Sequence, residues 1–244
     1  MYQKTRYLTA GDKAIVLEFG NEINKELNLL VRKMYYYISK KNIGGIEEIV
    51  PTSRSLTIYY NPQKVKFADL VQQLKELEDS VTEIALPIAY ITEIPVLYGG
   101  EYGPDLEFVA QHNKLSSKEV INIHTKKEYF IYMLGFLPGF VYLGGMSDKI
   151  ATPRLEKPRI KVPEGSVGIA AKQTGIYPIE SPGGWQIIGR TPVKLYDPKK
   201  ESPFLLKSGD YVKFYPINQK KFEEIKKIYK EGNYICKVKP YGSI

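Results

Sequence analysis

Most of the 20 glycines and 16 prolines in this chain of 244 residues lie beyond Tyr90, and that imbalance limits what each part can become. A chain that turns so often cannot sustain long helices, because proline lacks the amide a helix interior needs and glycine loses the most entropy when fixed. The stretch from Tyr129 to Tyr215 therefore reads as short strands joined by Gly/Pro turns, a closed or nearly closed β-barrel with few helices. Ahead of it, Asp105 to His112 shows helical periodicity, and Ser116 or Ser117 is placed to cap a second short helix. His124 opens "HTKKEYFIYM" and stands just before an apparent strand, at what should be a barrel rim.

The first ninety residues follow other periods. "KAIVLEFG" alternates like a strand, and Glu22 to Lys41 carries Ile23, Leu27, Leu30, Val31 and Met34 on one helical stripe. "GGIEEIVPTSRSLTIYY" supplies two strands around a turn at Thr52–Arg54, Phe67 to Asp79 repeats Leu70, Val71, Leu74 and Leu77 at helical spacing, and "EIALPIAY" reads as a closing strand. Strand, helix, strand, strand, helix, strand is the split βαβ pattern. The expected fold class is α+β, with a ferredoxin-like small α/β domain over residues 1–90 and a β-barrel domain with a C-terminal helix over 91–244.

Composition narrows the function classes. Hydrophobic residues at 43% and charged residues at 25% are the balance of a globular protein. Apolar stretches such as Ile131 to Leu137 fall far short of the roughly 18 residues needed to span a bilayer, and "MYQKTRYLTAGDK" has no signal-peptide apolar core. No membrane association and a cytoplasmic location are expected. Cys236, the only cysteine, excludes an internal disulfide and a multi-Cys zinc site. Of the net charge of +8, half arises in residues 218–244, which hold 7 basic and 3 acidic groups. There "NQKKFEEIKKIYKEGN" sets Lys220 against Glu224 and Glu223 against Lys227, repeats Phe222, Ile225, Ile228 and Tyr229 at helical spacing, and ends at Gly232. That is a solvated amphipathic helix, and with no recognised motif beside the lysines no nucleic-acid partner is expected.

Common catalytic templates are missing: no Walker loop, no GxGxxG after a strand, no GxSxG elbow and no HExxH helix occurs. Two histidines, His112 and His124, cannot make a dense metal site, so no metal is expected. What remains is a set of polar and aromatic residues among Gly/Pro turns: His124, Arg154, Arg159, Gln173, Tyr177, Trp185 and Arg190. Loops on a rigid barrel commonly carry binding groups, and arginine offers a planar fork to carboxylate or phosphate. Together they suggest an anion pocket, although each Arg taken singly reads first as a surface ion pair or a donor to loop carbonyls, and Trp185 alone as core. In "IESPGGWQIIGRT", Pro182 presets one backbone angle while Gly183 and Gly184 permit positive φ. The segment reads as a turn from which Gln186-Ile187-Ile188 leaves as a strand.

Three blocks, "GFLPGFVYLGG" (135–145), "TPRLEKPRIKVPEGSVGIA" (152–170) and "QTGIYPIESPGGWQIIGRTP" (173–192), resemble the signature of the KipI family, also described as allophanate-hydrolase subunit 1-like and as the B component of bacterial 5-oxoprolinase. The resemblance covers nearly the whole chain. It implies a small α/β domain before a cyclophilin-like barrel, and one half of a two-part module whose other half is a KipA-like protein, the C component of that enzyme. The implied reaction is ATP-dependent: the pair activates the cyclic amide of 5-oxo-L-proline, and a LamB/YcsF-like protein, the A component, completes the opening to L-glutamate. Such a chain would be inactive alone, with ATP bound only beside its partner. His124 and Arg154 would then be catalytic, and Arg159, Gln173, Tyr177, Pro182, Gly183, Trp185 and Arg190 would surround the substrate. Phe136, Phe140, Tyr142 and Trp185 become candidate partner anchors. KipI-type proteins also imply an alternative, inhibition of a sensor histidine kinase by docking on its helical dimerisation domain. A third, more distant implication is a component of urea metabolism.

Overall fold

The computed structural model describes residues 1–81, 84–231 and 234–242, and of residues 79 and 230 the backbone alone. The chain divides into two compact units, Met1–Pro87 and Ile88–Ile244.

In the first unit β1 (Arg6–Thr9), β2 (Ala14–Glu18), α1 (Lys25–Lys41), β3 (Ile46–Pro51), β4 (Ser55–Tyr60) and α2 (Phe67–Ser80) follow in order. Asn24 starts α1 later than the expected Glu22, because its side chain accepts the Leu27 amide at 2.9 Å. The apolar stripe of α1, Leu27, Val31, Met34 and Ile38, packs with Leu70 and Leu74 of α2 against Ile15, Leu17, Leu56 and Ile58 of the sheet.

The split βαβ expectation is corrected here. The sheet runs β1-β2-β4-β3 and is antiparallel throughout, while residues 84–89 join no ladder. β1 takes the edge of β2, from Arg6 opposite Glu18 to Thr9 opposite Ile15. The two strands are joined by a tight turn in which Gly11 has φ 68° and the Ala10 amide donates to the Ala14 carbonyl. Short-range pairing closes a small loop at low entropic cost, whereas a strand over 84–89 would carry the amide-less Pro87.

The second unit contains β5 (Tyr90–Tyr98), α3 (Leu106–His112), α4 (Ser117–Lys126), β6 (Glu128–Leu134), β7 (Val141–Gly144), β8 (Arg159–Val162), β9 (Ser166–Ala170), β10 (Gln173–Ile176), β11 (Ser181–Gly183), β12 (Gln186–Arg190), β13 (Tyr211–Pro216), α5 (Gln219–Lys230) and β14 (Val238–Pro240). Seven strands close a barrel in the order β5-β12-β9-β10-β7-β6-β13, and the long β5 makes the closure. Its residues Ile91 to Val96 lie parallel to β13, and its last two, Leu97 and Tyr98, turn to meet Arg190 and Gly189 of β12. β14 lengthens the β5 edge, and β8 with β11 forms a separate ribbon.

Alternate residues fill the barrel: Val141 and Leu143, Val167 and Ile169, and Ile176 belong to one buried core with Ile94, Val96, Ile131 and Val212. α4 is opened by a capping box between Ser116 and Glu119 and buries Val120 in the same core. α5 is amphipathic, with Phe222 and Ile225 buried. Its ion pair joins Lys221 to Glu224 at 2.9 Å rather than the expected Lys220 to Glu224. The helix is capped at Glu231, and Gly232 lies outside the described residues. No helix among the described residues is long and apolar enough to cross a membrane.

Candidate functional site

The outward faces of β7, β10, β9 and β12 bring Tyr142, Gly175, Gly168 and Ile187 side by side, with Gly175 opposite both Tyr142 and Gly168, and Ile187 also opposite Gly168. Two adjacent glycines leave a shallow floor, and the Trp185 indole lies on it. A Cβ on Gly175 would come within 3.0 Å of the indole, and one on Gly168 within 3.1 Å of the Trp185 Cβ. Phe140 meets the indole edge-on at 5.5 Å, Tyr142 at 6.2 Å, and Tyr177 meets Phe140 at 5.1 Å. With Val162, Ala170 and Ile187 these rings form a small second core outside the barrel. Trp185 is therefore only 5% exposed, a buried platform rather than a residue at a lip.

The Pro182–Gly184 segment is not the positive-φ turn the sequence suggests. Ser181–Gly183 is strand β11, paired with β8, and neither Gly183 nor Gly184 has positive φ. Gly183 is needed for proximity: any Cβ there would collide with the Tyr177 ring. Pro182 stays exposed, as suits an edge strand.

Arg154 lies over this platform, its guanidinium carbon 5.8 Å from the indole centre. The side chain is exposed, and among the described residues it has no ion pair. Its backbone, by contrast, is pinned on both sides. Thr152 bridges Ala171, the Pro153 carbonyl accepts from Gln186 Nε2 at 2.9 Å, and the Leu155 amide donates to the Gly184 carbonyl at 2.8 Å. Burial pushes the Tyr142 phenol up and the Arg154 charge pulls it back. Tyr177 is likewise raised by burial, opposed by the Trp185 backbone and by Arg154 and Arg159. Both phenols remain neutral hydrogen-bond donors near neutral pH.

Arg159 serves the frame. Its Nη2 pairs with Asp105 Oδ1 at 2.6 Å, and the other Asp105 oxygen accepts the Ile187 amide at 2.6 Å. Asp105 thus ties the start of α3 to β8 and β12. The sequence does not single it out, because at a helix start an Asp reads as a cap; here it makes no cap bond. Gln173 begins β10 opposite Ala170 and is partly exposed beside the second core.

Two candidates stand apart. His124 is not at a rim before a strand; it lies in the last turn of α4, fully buried. The Thr174 hydroxyl donates to the Gly168 carbonyl at 3.0 Å, so it accepts from His124 Nε2 at 3.0 Å. His124 Nδ1 then accepts from the Tyr98 hydroxyl at 2.8 Å. Its ring stacks on Phe214 at 4.6 Å, and burial pushes its pKa down to about 3. The cause of the misplacement is local: the capping box holds α4 together past His124, to Lys126. Arg190, at the far end of β12, faces the Tyr102 ring at 5.3 Å and not Trp185. Five residues of strand at about 3.3 Å each separate the two by roughly 17 Å. The expected single anion pocket is thus divided between Arg154, over the buried Trp185 indole, and a separate Arg190 position.

Among the described residues no three His, Cys, Asp or Glu side chains form a metal-ligand group. Cys236 is buried, and its thiol is pushed up to about 12 by that burial, which leaves it inert.

The family described as "Carboxyltransferase domain, subdomain C and D" matches residues 5–206. A curated 5-oxoprolinase B subunit from Bacillus subtilis (strain 168) is 47% identical, over 88% of this chain and 94% of its own length. The crystal structure of a conserved uncharacterized protein from Pyrococcus horikoshii is 50% identical, covers 89% of this chain and 100% of its own, and superposes with a TM-score of 0.53. The urea amidolyase of K. lactis has the same fold, with a TM-score of 0.81 at 21% identity over 96% of this chain and 16% of the larger one. With curated 5-oxoprolinase B subunits so similar over most of its length and all three signature blocks inside the matched region, the chain belongs to the family of carboxyltransferase subdomains C and D that includes the 5-oxoprolinase B subunits, the KipI family to which its sequence points.

Proposed function

We propose that this chain is the B subunit of an ATP-dependent 5-oxoprolinase, acting in the cytoplasm with a KipA-like protein and a LamB/YcsF-like protein to convert 5-oxo-L-proline to L-glutamate. Kinship with 5-oxoprolinase B subunits supplies the reaction. The observation that carries it to residues is the Arg154 guanidinium, exposed yet fixed by its backbone above the buried indole. On this reading residues 91–244 form the cyclophilin-like domain of the family.

The substrate is a planar five-membered lactam with a carboxylate. The indole and the half-buried Tyr142 suit the ring, and Arg154 suits negative charge, either the carboxylate or that which develops on the amide oxygen during activation. One exposed guanidinium fits a carboxylate or a single phosphoryl group better than a triphosphate, so ATP is left to the complex and no step on this chain runs through it. His124, with both ring nitrogens engaged, holds the barrel wall behind the indole and on this reading transfers no proton. Phe136, 66% exposed with φ 70°, and Ile160, 84% exposed next to Arg159, leave apolar surface on the barrel unit. A partner seated there would complete a site that is open on one side. Of the expected anchors, Phe140 and Trp185 are core instead. The kinase-inhibitor alternative has no observation of its own in its favour.

Co-purification with the KipA-like and LamB/YcsF-like proteins, followed by an assay of 5-oxoproline-dependent ATP hydrolysis, tests the proposal. Turnover is expected only when all three are present. Robust ATP hydrolysis by this chain alone, or a complete complex that ignores 5-oxo-L-proline, would refute it.

A further inference from the structure

We infer that a cavity in the barrel unit, away from Arg154 and Trp185, binds a small planar organic monocarboxylate whose acid group pairs with Arg190. This does not rest on the reaction proposed above.

The backbone of Arg190 is fixed between Leu97 of β5 and Ser166 of β9. Gly165, at φ 80°, lets the backbone pass under the Thr191 carbonyl, with which a Cβ would collide, and its own position lies in ordinary contact range of the Arg190 stem. The guanidinium rests on the Tyr102 ring, which packs in turn on Phe222 at 4.8 Å. Nε of Arg190 is buried without a hydrogen-bond partner, and among the described residues no carboxylate lies within ion-pair distance of this side chain. A buried charged donor left unpaired is costly, so an acceptor from outside the chain is the simplest way to satisfy it.

Beside it opens a cavity of about 310 Å³, near the lower end of the range for small-molecule sites. Arg190, Lys194 and Lys226 face it together with Glu101 and Glu164. Lys194 is already engaged by Glu164 at 3.9 Å, so the lining carries a single net positive charge. That suits a monoanion and disfavours a phosphate dianion. Phe222, Lys226 and Tyr229, four and three residues apart on α5, present one helical face, and the Phe222, Tyr229 and Tyr102 rings line the cavity. A planar ring bearing one carboxylate satisfies both the charge and the aromatic lining.

Titration of the isotope-labelled full chain with benzoate, benzamide and inorganic phosphate, followed by amide chemical shifts, reads the site directly. Benzoate is expected to shift the amides of Tyr102, Arg190 and Phe222 with a Kd of about 1 mM, the strength of one good charged contact in an open cavity. Benzamide, its neutral counterpart, should bind at least about tenfold more weakly, and Arg190→Gln should remove the benzoate shifts while the remaining spectrum stays folded. If Arg190→Gln does not fold, Arg190→Lys keeps the charge without the fork and should weaken benzoate several-fold. Benzoate and benzamide binding alike, phosphate binding more tightly than benzoate, unaltered benzoate binding in the variant that folds, or no shift at roughly twenty times the expected Kd would each overturn the inference. The readout needs no partner protein, so its failure leaves the 5-oxoprolinase proposal standing, and the converse also holds.

Discussion

Thr174 and Gly175 are neighbours on β10, yet they face different chemistry. Thr174 points into the barrel, where the Tyr98 hydroxyl, the His124 ring, its own hydroxyl and the Gly168 carbonyl form one chain of hydrogen bonds. Gly175 points outward and holds up the indole beneath Arg154. Inside, His124 spends Nδ1 on the Tyr98 hydroxyl and Nε2 on the Thr174 hydroxyl, so neither ring nitrogen is left for a ligand. Outside, the backbone fixes Arg154 and leaves its charge unspent.

Breaking the inner network should have the largest effect on stability. His124→Leu leaves the Tyr98 hydroxyl buried without its acceptor and removes the stacking on Phe214, so a loss of about 2–4 kcal/mol is expected in denaturant unfolding. On the outer face, Gly175→Ala forces a methyl group against the Val141 carbonyl and the indole, within 2.8 and 3.0 Å. That should cost about 1–3 kcal/mol, and the emission of Trp185, the only tryptophan, should report the displacement.

Acid sharpens the contrast further. The unfolded chain protonates His124 below its ordinary 6.5, whereas the folded chain keeps it neutral down to about 3. Stability from this group is therefore complete above 6.5 and falls as the pH drops towards 3, by at most about 1.4 kcal/mol per pH unit. The stability gap between the native chain and His124→Gln should narrow at that rate between about pH 6 and pH 5, measured from chemical denaturation at each pH. The smallest effect belongs to Lys161 and Glu180, paired at 3.0 Å with side chains 74% and 54% exposed. Lys161→Ala should change stability by no more than about 0.5 kcal/mol, and less in high salt.

The contrast also explains what the sequence could reveal. α1 and α2 follow from their apolar stripes, the β3–β4 hairpin from its turn, and α4 from Ser116, because each is decided by neighbours in the chain. The partner of β2 was not legible: whether β1 or residues 84–89 fill that edge depends on a comparison between two pairings that no local period encodes. At the proposed site, the signature blocks contain Tyr142, Arg154, Gly168, Gly175 and Trp185, but the sides of the strands were hidden. Trp185 and Arg190 sit in one block, and only the length of β12 separates them. His124 precedes a strand in sequence and stands inside the barrel in space, because α4 runs on past it.

The central claim is that function lies on the outer face and that the inner polar network is scaffold. Arg154→Ala and His124→Gln, prepared in parallel and assembled with the KipA-like and LamB/YcsF-like proteins, test it through two quantities per variant: melting temperature and specific activity per folded complex. Arg154→Ala should keep its melting temperature and lose activity by roughly a hundredfold or more, the scale of a lost charge-stabilising group. His124→Gln should melt several degrees lower, the shift expected for ~1 kcal/mol or more in a chain of this size, and retain the activity of the folded fraction. Full activity in Arg154→Ala, or a hundredfold loss in folded His124→Gln complex, would contradict the account.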